Sequence, residues 1–348
     1  MRTQRSATKL AAAGLALGMT ALVTGCGTTA SSQPSDPGTG GGTTDVASAR
    51  IQVLQPGVHP YIAANDEGIA AAAEELGLTG VKTVQSNYDP TTEVANLQNT
   101  LSQGADAIII QPASSTGVIP GVEAAVDQGI CVVALTTGPG TSTQELYPGL
   151  KGYVGWDEYR NGELMGEAMA EGLGGEGNVV VVQGVLDNNA ARDRQAGAEA
   201  VWAEKYPGIK VLAMQTADFD SAKARTVTQN FIQRYGSDMD GLLAITNNMA
   251  SAAADAVEQS ALKGEVTIVS TGGQGQFIDY IKEGKAYATT PEAPVSEAEA
   301  ALQLVVDCLE GDTTPTFVDE TELPTVAALE DNGYVITREN ADSFTAEW

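Results

Sequence analysis

The sequence has little of the side chains on which much enzyme chemistry depends. Its 348 residues include one histidine, His59, and three cysteines. A Ser-His-Asp or Cys-His system would have to use His59, and no Gly-x-Ser-x-Gly turn is present. A phosphate loop and a Gly-x-Gly-x-x-Gly after the first strand are missing, and so few histidines and cysteines disfavour zinc. We therefore expect no enzyme, no metal and no cofactor, with a hydrolase that uses two carboxylates as the open alternative.

Basic and aromatic residues are scarce as well. Lysine and arginine total 18 against 45 aspartates and glutamates, a net charge of -27. Such a chain is repelled by nucleic acid and by anionic membrane surfaces, so neither is an expected partner. Five phenylalanines, three tryptophans and ten tyrosines are few for this length. Any aromatic residue beside a predicted cleft is therefore a candidate for ligand contact.

Long apolar runs are also rare, and the longest stands at the amino end. Three basic residues precede an apolar run over 10–23, which ends in Val23-Thr24-Gly25-Cys26. This run is short for a transmembrane helix and predicts a secretory signal over 1–25. The last four residues are similar to a bacterial lipobox, which predicts that Cys26 is lipidated. The alternative is an ordinary signal peptide with an incidental cysteine.

The segment 26–48 is rich in glycine, threonine, serine and proline and has no apolar period. Such a composition predicts a flexible tether. A lipid followed by a tether would hold a globular body outside the cell membrane without inserting it.

Strands and helices alternate through the rest of the chain. Apolar, β-branched runs predict strands at 51–55, 81–85, 107–111, 131–135, 178–183, 210–214, 241–245 and 266–270, and helical stretches fill most of the gaps. This alternation is typical of βαβ units, and there are too many for one sheet of usual size. We predict an α/β fold with two doubly wound parallel sheets. Asp106 and Asp240, which each precede an apolar strand, indicate a structural repeat.

The stretch 178–195, NVVVVQGVLDNNAARDRQ, contains the clearest site signal. A buried strand leads through a polar loop into a helix that Asn188 or Asn189 can cap. Ligands of open α/β sheets bind at such strand ends, so Arg192 in the first turn is a candidate ligand contact. The alternative for Arg192 is a solvated position on an amphipathic helix.

Five stretches together carry a family resemblance. They are AARDRQAG at 190–197, QTADFDSAKA at 215–224, GADAIIIQPAS at 104–114, YVGWDEYRNGELMG at 153–166 and VITREN at 335–340. From residue 51 to about residue 341 the chain resembles periplasmic binding proteins of type I, in the ribose, galactose and xylose group that serves ABC sugar importers.

The resemblance implies two lobes joined by a three-segment hinge that closes on ligand. The crossings should lie near 156–157, 292 and 318–321. The first lobe would comprise 49–156 with 292–320, and the second 157–291 with 321–348.

The resemblance also implies a set of ligand-binding residues. The sugar-gripping arginine falls on Arg192, and the aromatic residue of the ADFD loop falls on Phe219. The other predicted contacts are His59, Tyr61, Gln111, Trp156, Asp157, Thr246, Asn247 and Glu292. Tyr61 and Phe219 could instead be core residues, Glu292 a solvated carboxylate, His59 a loop residue and Trp156 a plug in the hinge.

Two departures from the ribose-type pattern affect the ligand. Thr136-Thr137 replace an aspartate–arginine pair, and Gly272 replaces an aspartate. We therefore expect weak binding of ribose and a different neutral sugar or polyol as the ligand. The implied crossings put Cys131 and Cys308 in the first lobe, which predicts a disulfide in an oxidising compartment, with two buried free thiols as the alternative.

These observations give a leading function and two alternatives. The first is a monomeric lipoprotein that captures a small neutral sugar or polyol and hands it to an ABC permease, touching the membrane only through its lipid. The second is a receptor of the same fold that presents its liganded form to a membrane sensor. The third is the secreted hydrolase.

Overall fold

Two six-stranded sheets organise residues 45–348, the part of the chain that the computed structural model describes. The strands, numbered in chain order, are β1 (Ile51–Gln55), β2 (Val81–Gln85), β3 (Ala107–Ile110), β4 (Cys131–Leu135), β5 (Gly152–Gly155), β6 (Glu176–Gln183), β7 (Gly208–Thr216), β8 (Gly241–Ala244), β9 (Thr267–Gly272), β10 (Ala288–Pro291), β11 (Thr316–Asp319) and β12 (Ile336–Thr337). The predicted signal peptide, Cys26 and most of the predicted tether lie outside the described residues.

The helices follow the strands in regular alternation. They are α1 (Pro60–Glu75), α2 (Pro90–Ser102), α3 (Ile119–Asp127), α4 (Glu158–Leu173), α5 (Asn189–Lys205), α6 (Ser221–Tyr235), α7 (Asn247–Glu258), α8 (Gly275–Glu283), α9 (Pro294–Glu310) and α10 (Pro324–Ala327). None of the helices within 45–348 is both long and apolar enough to span a membrane.

The two sheets repeat one topology. The first runs β2-β1-β3-β4-β5-β11 and the second runs β7-β6-β8-β9-β10-β12. All neighbours are parallel except β10 and β12. In both sheets the strand order reverses at the first strand in chain order, because β1 lies between β2 and β3 and β6 lies between β7 and β8. Ligands of open sheets bind beside such a reversal. The predicted fold class of two doubly wound parallel sheets is confirmed.

A pair of aspartates supports the repeat in atomic detail. Asp106 precedes β3 and accepts the backbone N–H of Arg50 at 2.8 Å, beside β1. Asp240 precedes β8 and accepts the backbone N–H of Asn178 in β6 at 2.7 Å. Each carboxylate thus links two neighbouring strands of its own sheet at their amino ends.

The chain passes between the sheets three times. It leaves the first sheet after Gly155, returns after Pro291 and leaves again after Asp319. These positions adjoin the predicted hinge segments. We call the body around the first sheet the first lobe, with α1, α2, α3 and α9, and the body around the second sheet the second lobe.

A disulfide joins Cys131 in β4 to Cys308 near the end of α9, with 6.4 Å between their Cα atoms. The bond lies within the first lobe. It ties the helix that returns from the second crossing to a central strand, which constrains two segments far apart in sequence.

Helix α1 begins at Pro60, earlier than residue 65, where the apolar pattern of residues 65–76 alone predicts a helix start. Proline is favourable in a helix's first turn because its missing N–H has no intrahelical partner there. The first crossing directly follows β5, whose four buried residues lie between β4 and β11.

Candidate functional site

A cavity lies where the carboxyl ends of the two sheets face each other. Its volume is about 50 Å³, on a scale where about 10–15 Å³ admits one water molecule. The first lobe lines it with His59, Tyr61, Tyr88, Gln111, Thr136 and Thr137. The second lobe contributes Asn188, Arg194, Phe219, Thr246 and Asn248, and Glu292 and Trp348 complete the wall. The cavity is therefore small and built from both lobes.

The start of α1 places two rings at the cavity. His59 is the helix N-cap and Pro60 occupies the first turn, so the side chains of His59 and Tyr61 are presented at the amino end of the helix. Burial lowers the pKa of His59 to about 4, so the imidazole is neutral. The Tyr61 hydroxyl donates to Glu297, and the Thr136 hydroxyl donates to the same carboxyl oxygen at 2.8 Å.

Glu297 is a buried acid without a cationic partner among the described residues. Burial, countered by the Tyr61 hydrogen bond and reinforced by Glu292, raises its pKa to about 8. The carboxyl therefore holds its proton at neutral pH. The neutral His59 in the first-lobe wall and the protonated Glu297, which lies behind Tyr61 and Thr136, therefore add no charge to this side of the cavity.

Five rings form a continuous series along the cavity. Trp348 meets Tyr61 edge-on with 5.3 Å between ring centres, and Tyr61 lies 6.2 Å from His59. His59 stacks on Tyr88 at 6.3 Å, and Tyr88 meets Phe219 of the second lobe at 6.0 Å. Ring faces of this kind pack well against the C–H groups of a ligand.

Arg194 provides the charge of the second-lobe wall. It lies on α5, is 4% exposed and donates from Nε to Glu158 at 2.6 Å. Its Nη2 donates to both Glu158 and Glu292, and its Nη1 donates to the Ile245 carbonyl at 3.2 Å. A guanidinium has five N–H donors in a fixed fork. One N–H of Nη1 is therefore free of these four bonds.

Glu292 stands at the second crossing and faces Arg194. Burial raises its pKa to about 7, and the charge of Arg194 opposes that rise. Burial lowers the pKa of Arg194, but Glu158 and Glu292 outweigh that effect and hold it well above its usual range. The arginine charge is thus matched by neighbouring carboxylates, so the second-lobe wall has no excess of positive charge.

Two polar atoms of the cavity residues lack a protein partner within the part of the chain described. They are Nδ1 of His59 and Oε1 of Gln111, both buried. Buried polar groups without partners are unfavourable, so a ligand that hydrogen-bonds to them would stabilise the closed site.

The lobes also meet directly around the cavity. Asp187 of the second lobe accepts hydrogen bonds from the hydroxyls of Ser114 and Thr116 at 2.6 and 2.7 Å. Asp193 accepts the Thr143 N–H at 2.7 Å and the Ser142 hydroxyl at 3.0 Å. The two lobes are therefore closed on each other.

The structure brings six of the ten predicted ligand contacts to this cavity and leaves four outside it. Those at the cavity are His59, Tyr61, Gln111, Phe219, Thr246 and Glu292. Their contact with a ligand stays a prediction.

Arg192 and Asn247 are displaced by the rotation of their helices. Arg192 is 38% exposed and lies 3.7 Å from Asp187, whereas Arg194 faces the cavity. Each residue of an α-helix turns the side chain by about 100°, so a step of two reverses the face. Asn247 is buried against Thr289 and the Gln274 N–H, and its neighbour Asn248 lines the cavity.

Trp156 and Asp157 lie at the first crossing and make structural contacts there. The Trp156 indole is buried in the hinge core and donates to the Pro291 carbonyl at 3.0 Å. Asp157 caps α4 by accepting the N–H groups of Tyr159 and Arg160. Neither lines the cavity, because the chain turns into the second lobe directly after β5.

Several cavity residues were missed by the sequence analysis. Tyr88 has a detectable signal, since Ser-Asn-Tyr-Asp at 86–89 matches the pattern of Ala-Asp-Phe-Asp at 217–220. Asn188 was recognised only as a helix cap, a role that it has. Trp348 has no local signal, because its place depends on contacts distant in sequence.

Comparisons with known proteins identify the family. The profile of the periplasmic binding protein domain matches residues 53–313. A xylitol-binding protein of Mycolicibacterium smegmatis is 30% identical over 77% of this chain and 75% of its own length. A ribose import binding protein of Haemophilus influenzae is 30% identical over 68% of this chain and 77% of its own.

Solved structures agree in fold. An ABC transporter periplasmic solute binding protein of Actinobacillus succinogenes with bound D-allose is 26% identical, has a TM-score of 0.72 and covers 85% of this chain and 100% of its own. A Mycobacterium smegmatis ABC transporter solute binding protein with bound glycerol is 25% identical, with a TM-score of 0.74 and coverage of 85% and 96%. The chain therefore belongs to the periplasmic binding protein family, among the sugar-binding proteins of ABC transporters, which bind substrates and are not enzymes.

Proposed function

We propose that this protein captures a small neutral polyol or sugar between its lobes and delivers it to an ABC permease in the membrane. The observation that carries the proposal is the cavity, which combines a series of ring faces with buried polar atoms that have no partner within residues 45–348. A polyol presents both C–H faces and hydroxyls, and it could satisfy both kinds of surface.

The proposed contacts follow from the geometry. The free N–H of Arg194, the amide of Gln111 and the ring nitrogen of His59 would hydrogen-bond hydroxyls. Tyr88 and Phe219 would pack on the carbon skeleton from opposite lobes. The predicted arginine contact thus moves from Arg192 to Arg194, two positions along α5.

The charge balance supports a neutral ligand. Arg194 is paired with Glu158 and Glu292, so an anion would find no unpaired cation among the described residues that line the cavity. The relative that binds xylitol and the solved structure with glycerol favour short polyols. Because Thr136, Thr137 and Gly272 replace charged residues of the ribose-type pattern, we expect ribose to bind weakly.

Calorimetry on the mature protein tests this ligand class. We expect xylitol or a similar polyol to bind with a dissociation constant of about 1 μM or below and D-ribose to bind at least about tenfold more weakly. D-Gluconate, which resembles a polyol but carries a carboxylate, is the matched control and should not bind. Tight binding of gluconate, or no binding of any polyol or sugar, would contradict the proposal.

Anchoring and delivery form the second part of the proposal. Cys26 would be lipidated and would hold the lobes outside the cell membrane at the end of the tether. In cells that express Cys26→Ser, we expect the protein to leave the membrane fraction. Membrane association equal to wild type would contradict lipidation. Cells that lack the protein should lose uptake of the labelled ligand, and the wild-type chain should restore it.

A further inference from the structure

The segment 344–348 places an indole in the cavity. Trp348 lines the wall, meets the ring of Tyr61 edge-on and donates its Nε1–H to the Gly272 carbonyl at 2.7 Å. Its own carbonyl accepts the Gly275 N–H at 2.7 Å. Both contacts are with the second lobe, at the end of β9.

Two glycines make room for this segment. A Cβ atom on Gly272 would lie 2.8 Å from the Trp348 ring, and one on Gly273 would lie 2.8 Å from the Phe344 ring. Both glycines have positive φ, 139° and 64°, where other residues are strained. Gly272, Gly273 and the two rings are therefore matched to one another.

Glu347 joins the same segment to the start of α9 in the first lobe and to α10. Its carboxylate accepts the N–H groups of Val295 and Ser296 at 2.8 and 3.1 Å, and the hydroxyls of Ser296 and Thr325 at 2.6 and 2.9 Å. Helix α9 begins there, and its N-cap residue, Ala293, has no side-chain oxygen to satisfy these donors. Glu347 supplies that cap, since a carboxylate is favourable at a helix N-terminus.

We propose that Trp348 is a specificity-determining residue of the ligand site and that Glu347 positions it. Resting on the proposed function, this inference assigns a size limit: the indole fills space at the Gly272 end of the cavity, which admits a short polyol and excludes a hexose ring. The rings of Tyr61 and Trp348, which meet edge-on, would give the bound polyol an apolar wall.

The primary test compares xylitol and D-allose as probes by calorimetry. In Trp348→Ala, we expect xylitol affinity to fall and the affinity ratio to shift toward D-allose by about tenfold or more, as expected when a pocket gains room for larger groups. Glu347→Ala should shift the ratio in the same direction by a smaller factor, although its side chain does not line the cavity. A ratio within twofold of wild type in a folded Trp348→Ala protein would overturn the inference.

Fluorescence keeps the inference testable if the alanine variant does not fold. Trp156 and Trp202 are 2% and 3% exposed and lie in the hinge and the second-lobe core. In a Trp156→Phe background, which removes the hinge indole, a xylitol-dependent change in tryptophan emission should be lost in Trp348→Phe and retained in the control Trp202→Phe. Retention of the change in Trp348→Phe would contradict the inference. Failure of wild type to bind either probe would instead contradict the proposed function.

Discussion

The loop at 86–89 in the first lobe and the loop at 217–220 in the second have the same conformation. Asn87 and Tyr88 have φ values of 53° and 56°, and Asp218 and Phe219 have values of 52° and 61°. Left-handed backbone is unfavourable for aromatic residues and is tolerated where the surroundings require it, often at binding sites. Both loops end in an aspartate that caps the next helix.

The neighbours of the two aromatic residues are repeated as well. The Tyr88 ring packs where a Cβ of Gly57 would be, and the Phe219 ring packs where a Cβ of Gly184 would be. Each of these glycines follows the first strand, in chain order, of its own sheet. The fold thus repeats the same aromatic loop in both lobes, and the rings of Tyr88 and Phe219 meet at the cavity. We call these two rings the aromatic pair.

Charge is where the two walls differ. The first-lobe wall contains the neutral His59, with the protonated Glu297 behind Tyr61 and Thr136. The second-lobe wall contains Arg194, which is paired with Glu292 and with Glu158 behind the wall. Under the proposed function, apolar contact with the ligand would come from both lobes, whereas among the described residues a charged hydrogen-bond donor would come from the second lobe alone. The predictions below test this division.

The largest effect on stability should come from removing Arg194, the cation of the second-lobe wall. Arg194→Met leaves Glu158 and Glu292 buried without their cation, and we expect the free energy of unfolding to fall by about 3–5 kcal/mol. Denaturant titration at neutral pH measures this loss. Arg225→Met, which removes a half-exposed ion pair with Asp255, is the control and should cost about 1 kcal/mol or less. Equal losses in the two variants would show that the Arg194 cluster is not specially coupled.

The proton held by Glu297 should make the stability of the protein depend on pH. The folded pKa of Glu297, about 8, is above its ordinary value, so its stabilising effect is full at acidic pH and is lost as pH rises toward about 8. We expect the free energy of unfolding to fall between pH 5 and pH 8 by up to about 1.4 kcal/mol per unit for this proton. Glu292, Glu158 and Glu320 contribute in the same direction because burial raises their pKa values too.

Glu297→Gln isolates the contribution of that one proton. We expect a shallower slope of unfolding free energy against pH, and no change of slope in the exposed control Glu74→Gln. An unchanged slope in Glu297→Gln would mean that Glu297 is ionised at neutral pH and that a negative charge lies behind the first-lobe wall.

The two rings of the aromatic pair, Tyr88 and Phe219, should contribute equally to ligand affinity. We expect Tyr88→Leu and Phe219→Leu to weaken xylitol binding by similar factors, with a coupling free energy of about 0.5–1.5 kcal/mol in a double-mutant cycle. Tyr88→Phe should bind within twofold of wild type, because the ring rather than the hydroxyl makes the contact with Phe219. A loss in one leucine variant without the other would break the equivalence of the two loops.

The smallest effect should come from Arg192, on the same helix as Arg194. Arg192→Ala removes a half-exposed ion pair with Asp187 and a long hydrogen bond to the Thr141 carbonyl. We expect ligand affinity within twofold of wild type and a stability change of about 0–1 kcal/mol. A tenfold loss of affinity would restore Arg192 as the ligand-binding arginine and remove Arg194 from that role.

The strands and their order of succession were readable in the sequence because they depend on local pattern. Uninterrupted β-branched runs such as 107–110 and 131–135 predict buried parallel strands, and these strands are present. The cap at Asn188 is equally local, since it depends on a side chain three residues from the N–H that it accepts. The family resemblance then added the lobes and the position of the cleft.

Tertiary structure alone decided which side chains face the cavity. Arg192 and Arg194 are both reasonable candidates in sequence, and the packing of α5 on the second lobe selects Arg194 by setting the rotation of the helix. Trp348 reaches the site through a hydrogen bond to a residue 76 positions away. Periodicity in sequence reports which residues share a face, but the direction of that face is set by packing between elements that are distant in the chain.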